Sequence, residues 1–139
     1  MIVICGNWIT RPLKVLAITL WGIRFIDSKF RNRWIVRNHE LIHSYQWIEL
    51  MVIGALLWAA FADQPWAWCF VVFLFPLLYS IELIRRFRTA KGNTFTKRFW
   101  NANEATCFEQ EAEAHEKQYY YTRPFCGDRK LFGWLAYLR

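Results

Sequence analysis

The chain has no Cys-x-x-Cys pair. Cys5, Cys69, Cys107 and Cys126 stand far apart, which excludes a zinc ribbon and offers no disulfide framework. There is no internal repeat and no low-complexity tract. The N-terminus lacks a signal-peptide pattern, because its apolar stretch Val15 to Gly22 is short and leads into further basic residues rather than a cleavage site. Basic residues give a formal charge of +7, yet none forms a stripe away from two long apolar runs. Nucleic acid is therefore not the expected partner.

What is abundant is aromatic. Nine Trp, twelve Phe and six Tyr are more than a 16.8 kDa globule can hide, so part of this surface faces something other than water. Lipid is the expected neighbour. Residues 46–62 and about 66–84 are almost wholly apolar, and each makes roughly 26 Å of helix, close to the thickness of a bilayer core. Asp63-Gln64-Pro65 separates them and predicts a tight helical hairpin. Arg24, Lys29, Arg31, Arg33 and Arg37 precede the first run, and Arg85, Arg86, Arg88, Lys91, Lys97 and Arg98 follow the second; the loop between has neither Lys nor Arg. That asymmetry predicts a multi-pass protein of the inner (cytoplasmic) membrane, with both termini in the cytoplasm.

The expected fold is a single, mainly α, membrane-embedded domain over residues 1–139. Leu13 to Ile26, rich in Val, Ile, Thr and aromatics, predicts a strand or short hairpin, with an interfacial helix as the alternative. Asp27-Ser28 is a turn or helix cap. A helix is expected from about Arg31 into the first apolar run, since no Gly or Pro interrupts Arg31 to Ile53. Arg85 to Arg98 reads as basic and polar with a loop at Gly92-Asn93, and Asn101 to Tyr121 as a further helix. Leu131 to Leu138 is a short aromatic tail.

Chemistry is named most directly by His39-Glu40-Leu41-Ile42-His43. On a helix, imidazoles four residues apart share one face and can share one Zn²⁺, while Glu40 stands close enough to take a proton from an attacking water. Two histidines underfill zinc, and a catalytic site wants a third protein ligand and one open position. Gln46 and Glu49 stand where a nearby Gly and third His would fall, so the third ligand comes from further along. Phe108-Glu109-Gln110-Glu111-Ala112-Glu113 is the natural donor; Glu109 and Glu113 would share a helix face, and two like charges there call for a cation. Glu111, Glu113 and His115 remain open as alternatives to Glu109.

A His-Glu-x-x-His helix, a membrane hairpin and then a Glu-x-x-Ala-acid helix resembles the membrane-embedded gluzincins, among them the HtpX-type heat-shock proteases and the CAAX prenyl endopeptidases. The order of elements covers roughly residues 15 to 118, but only the two motifs are specific. Asn38 and Phe108 also match a group of small bacterial membrane proteins with Asn-His-Glu-x-x-His and a later Phe-Glu-x-Glu-Ala helix. The resemblance implies His39, His43 and Glu109 as zinc ligands, Glu40 as general base and Glu113 as the acid that orients a ligand histidine. Glu113 stands where the family has Asp, and the soluble part is much smaller than in the proteases. The implied activity is zinc-dependent hydrolysis of peptide bonds in a peptide or membrane-protein substrate. His115 and Tyr119, in the run Tyr119-Tyr120-Tyr121, are the candidate donors to the developing oxyanion. The competing expectation is a zinc-stabilised membrane scaffold or accessory subunit without catalysis, its fourth position closed by His115, Glu111 or a Cys. Two spans are few, which makes a homo-oligomer plausible for either.

Overall fold

This computed structural model describes residues 2–6, 8, 10, 16–122 and 128–138, and among these it forms four α-helices and a small three-stranded sheet. The chain groups into two compact units, one of Met1–Ile48 with Ala112–Leu131 and one of Glu49–Glu111 with Phe132–Arg139. Each division falls inside a helix: α1 (Trp34–Ala60) and α4 (Cys107–His115) both contribute to each unit.

In the first unit the sheet runs β1 (Val3–Cys5), β3 (Ile23–Ile26), β2 (Ala17–Leu20), with β1 parallel and β2 antiparallel to β3. The expected hairpin is thus present in the described part of Leu13 to Ile26. Its two-residue turn, Trp21-Gly22, takes φ of 49° and 73°. Positive φ at both positions matches the twist of the flanking strands. Gly22 adopts it freely; Trp21 does so at a cost on the order of 1 kcal/mol, its indole tilted against that of Trp47 with centroids 5.9 Å apart. Asp27 caps the following 3₁₀ turn (Ser28–Phe30) by accepting the Lys29 N–H at 2.9 Å. α1 begins at Trp34, slightly later than Arg31, and its Ile42 packs in a buried cluster with Ala112 and Tyr121.

The second unit holds the rest of α1, α2 (Cys69–Thr89), α3 (Phe95–Glu104), most of α4 and a 3₁₀ turn at Gly133–Tyr137. α1 continues unbroken through 27 residues, as the absence of Gly and Pro before Ile53 predicts. The connection to α2 is longer than a three-residue turn: residues 61–68 form successive hydrogen-bonded turns, Gln64 N–H to the Phe61 carbonyl and Ala67 N–H to the Gln64 carbonyl. Gly54 allows the close approach of α1 to α2, because a side chain there would run into the backbone carbonyl of Phe70.

The loop expected at Gly92-Asn93 is present: residues 90–94 are irregular, between α2, which extends to Thr89, and α3, which starts at Phe95. One expectation is corrected. Asn101 to Tyr121 is not one helix. It breaks at Ala105-Thr106, where the Thr106 hydroxyl accepts the Glu109 N–H at 3.4 Å and starts α4, and it ends at His115. The aromatic tail is anchored: buried Glu49 accepts the Phe132 N–H at 3.0 Å and the Trp134 indole N–H at 3.2 Å.

Among the described residues one helix, Trp34–Ala60, is long and apolar enough to cross a membrane. α2 has 21 residues, but Glu82, Arg85, Arg86 and Arg88 crowd its last turns.

Candidate metal centre

A single face of α1 carries the two imidazoles. At a spacing of four residues the rings lie edge to face, with centroids 4.8 Å apart and Nε2 facing Nε2 at 3.2 Å. The other nitrogen of each ring is engaged. His39 Nδ1 lies 3.1 Å from Glu116 Oε2, and His43 Nδ1 lies 2.7 Å from Gln46 Oε1. Carboxylate and amide oxygens only accept, so both Nδ1 atoms carry the protons. The two Nε2 atoms thus face each other at hydrogen-bonding distance, an arrangement that a shared cation, proton or metal ion, satisfies.

The donor set fits a metal ion. Ligand atoms offered by His39, His43 and Glu109 all lie within 4.8 Å of one another. Nitrogens each 2.0–2.1 Å from a tetrahedral zinc ion stand about 3.3 Å apart, close to the observed Nε2 pair. Imidazoles whose far nitrogens donate to oxygen acceptors are the usual state of metal-binding histidine, with tautomer and ring plane both fixed. Glu109 sits in the first turn of α4, and its carboxylate Oε1 is 2.8 Å from the Tyr79 hydroxyl on α2.

Glu116 therefore occupies the place expected of Glu113 behind a ligand histidine, and Glu113 is exposed. Asn38 secures the Glu116 segment. Its amide NH₂ reaches the carbonyls of His115, Glu116 and Gln118 at 3.2, 2.8 and 3.3 Å, and its oxygen accepts the Thr122 hydroxyl at 2.9 Å.

Glu40, between the histidines, is buried. The Thr19 hydroxyl on β2 donates to its Oε2 at 2.6 Å. Arg24, the cross-strand partner of Thr19, is buried as well and within electrostatic range of Glu40. Burial, then repulsion by Arg37, lowers the pKa of this guanidinium, while Glu40 and Tyr45 oppose the shift. The sheet thus sets one hydroxyl donor and one guanidinium near the motif's carboxylate.

The remaining candidates make contacts of their own. Glu111 is fully buried and is not in the ligand group. His115 stacks face to face on Tyr121 at 3.8 Å, with Nδ1 2.8 Å from Gln118 Oε1. Tyr119 is 60% exposed and packs edge-on against Tyr120. Cys107, two residues before Glu109, is buried; burial first, then the charge of Glu82, pushes its thiol up to about 12, so it stays protonated. Cys5, Cys69 and Cys107 are free thiols, and Cys126 lies outside the described residues.

Sequence reasoning missed Gln46, Glu116, Tyr79, Thr19 and Asn38. Gln46 carried a usable signal, since three residues beyond His43 on the same helix is within side-chain reach. Comparisons of the chain with protein-family models, with curated proteins and with solved structures give no match.

Proposed function

We propose that this chain is a membrane-bound zinc-dependent metallopeptidase, of the gluzincin type it resembles in motif order. It would hydrolyse peptide bonds of a peptide or membrane-protein substrate at the cytoplasmic face of the inner membrane. The observation that carries this reading is the pair of inward-facing Nε2 atoms at 3.2 Å, each ring locked from behind, with Glu109 in the same group.

His39, His43 and Glu109 hold the ion. When bound, zinc supplies Lewis acidity, polarising a substrate carbonyl and acidifying water. Glu40 takes the proton of the attacking water and returns it to the leaving amine. Thr19 keeps the Glu40 carboxylate in place, its hydroxyl donating to the ionised form. Glu116 and Gln46 keep the imidazole planes fixed.

Membrane residence completes the reading. Support comes from the length and composition of α1, the exposed Val52, Leu56, Trp58, Phe73, Leu77, Ile81 and Ile84 along α1 and α2, and the Arg and Lys beyond them. α1 and α2 then form the two-span hairpin, with both chain ends in the cytoplasm.

The test is elemental analysis of the full chain purified from membranes in detergent. About one zinc per chain is expected, lost in His39→Ala and in Glu109→Ala. Glu40→Gln should keep zinc and lose peptide hydrolysis by at least about 100-fold. Full zinc occupancy in both ligand variants removes the ligand assignment. Zinc retention with wild-type hydrolysis in Glu40→Gln removes the base. Zinc with no hydrolysis in the wild type leaves the scaffold.

A further inference from the structure

The Tyr79 hydroxyl is fixed in place by more than its hydrogen bonds. Its ring stacks on Phe108, with centroids 5.7 Å apart and planes 22° from parallel, and lies against Phe75 at 5.8 Å. Phe108 is fully buried and backed in turn by Trp134 at 4.8 Å. Phe75 and Phe108 are themselves 5.1 Å apart, so the three rings form one aromatic cluster that seats the tyrosine and limits the freedom of its hydroxyl.

That hydroxyl lies 2.8 Å from Glu109 Oε1 and 2.7 Å from the Asn103 side-chain amide. One phenolic proton serves only one acceptor. Asn103 Oδ1 and the Glu109 carboxylate are both placed to accept from this hydroxyl; the bond to the carboxylate is charge-assisted and the stronger of the two, so the proton goes to Glu109.

We propose that Tyr79 is the positioning residue for the carboxylate ligand, holding Glu109 Oε1 by a donated hydrogen bond so that the remaining oxygen is presented to the metal ion. The inference rests on the metal-site reading and completes its symmetry. His39 is held by Glu116, His43 by Gln46, and Glu109 by Tyr79, so each of the three ligand side chains has a partner of its own. It also assigns a reason for a hydroxyl-bearing aromatic in an otherwise apolar stretch of α2, where Phe would satisfy packing equally well.

Tyr79→Phe isolates this role, because it removes one oxygen and leaves the aromatic stack intact. The experiment uses the full chain in detergent, stripped of metal and titrated with Zn²⁺ against a chromophoric chelator and with Co²⁺ by visible absorption. Outer partners of metal ligands contribute roughly 10- to 100-fold in affinity. Tyr79→Phe is expected to weaken Zn²⁺ binding at least about 10-fold and to shift the Co²⁺ ligand-field bands, with the metal-free protein melting within about 2 °C of wild type. A merely structural tyrosine would lower the metal-free melting temperature and leave the Co²⁺ spectrum alone; that result overturns the proposal. So does wild-type Zn²⁺ affinity in Tyr79→Phe. Failure of the unsubstituted chain to bind either ion overturns the metal-site reading itself, and so is distinguishable from failure of the tyrosine's role.

Discussion

The two halves of α1 differ in what they bury and expose. From Trp34 to Ile48 the helix hides Asn38, Glu40, His43, Ser44 and Gln46 beside apolar Ile42 and Trp47. From Glu49 to Ala60 it hides little beyond Glu49, Leu50 and Gly54, and it exposes Val52, Leu56 and Trp58. In water the second pattern is inside out; in lipid it is ordinary. In the first half the buried polar side chains of the motif region are paired: Glu40 with Thr19, His43 with Gln46, Asn38 with three carbonyls and Thr122. One continuous helix therefore changes midway, from a half that buries polar side chains to a half that exposes apolar ones.

Substitutions in each half should separate these roles. The largest effect is expected from Leu56→Lys. An ammonium at mid-span costs roughly 2.5–3.5 kcal/mol on insertion scales, so the variant should partition out of alkaline-washed membranes where the wild type stays. Unchanged retention would mean that this face does not meet lipid. Next is Gly54→Val, which forces α1 off the Phe70 carbonyl and should cost about 1–3 kcal/mol as overpacking. A drop in melting temperature with zinc stoichiometry unchanged is the expected result, and zinc loss would tie the halves together. The smallest is Glu116→Gln in the first half's environment. Losing the anionic acceptor behind His39 should weaken Zn²⁺ about 10-fold, or about 1.4 kcal/mol, with the melting temperature nearly unmoved. A chelator titration that cannot tell it from wild type would remove Glu116 from its role.

Legibility of the site in the sequence followed the same division. His39, Glu40 and His43 were readable because helical spacing alone puts them together. Glu109 was readable only through its acidic context and the motif order, since residues 44–108 separate it from His43. Glu116 was not, because it lies beyond the last turn of α4, in a segment whose path is set by Asn38 and not by any periodicity. Tyr79 carried no signal at all: in an apolar run its ring looks like any other. The start of α4 had one that went unread, as Thr106-Cys107-Phe108-Glu109 has the Thr-x-x-Glu form that opens helices. The apolar lengths foretold the long helices, but not the turns at residues 61–68, where no single breaker acts and the chain closes through several short bonds.

Asn38 adjoins His39 in the chain, yet its amide fastens the stretch that delivers Glu116. A candidate metal ligand and the acid behind it are thus governed from one backbone position. Redesign there cannot retune basicity and orientation independently; any change at residue 38 is transmitted to both at once.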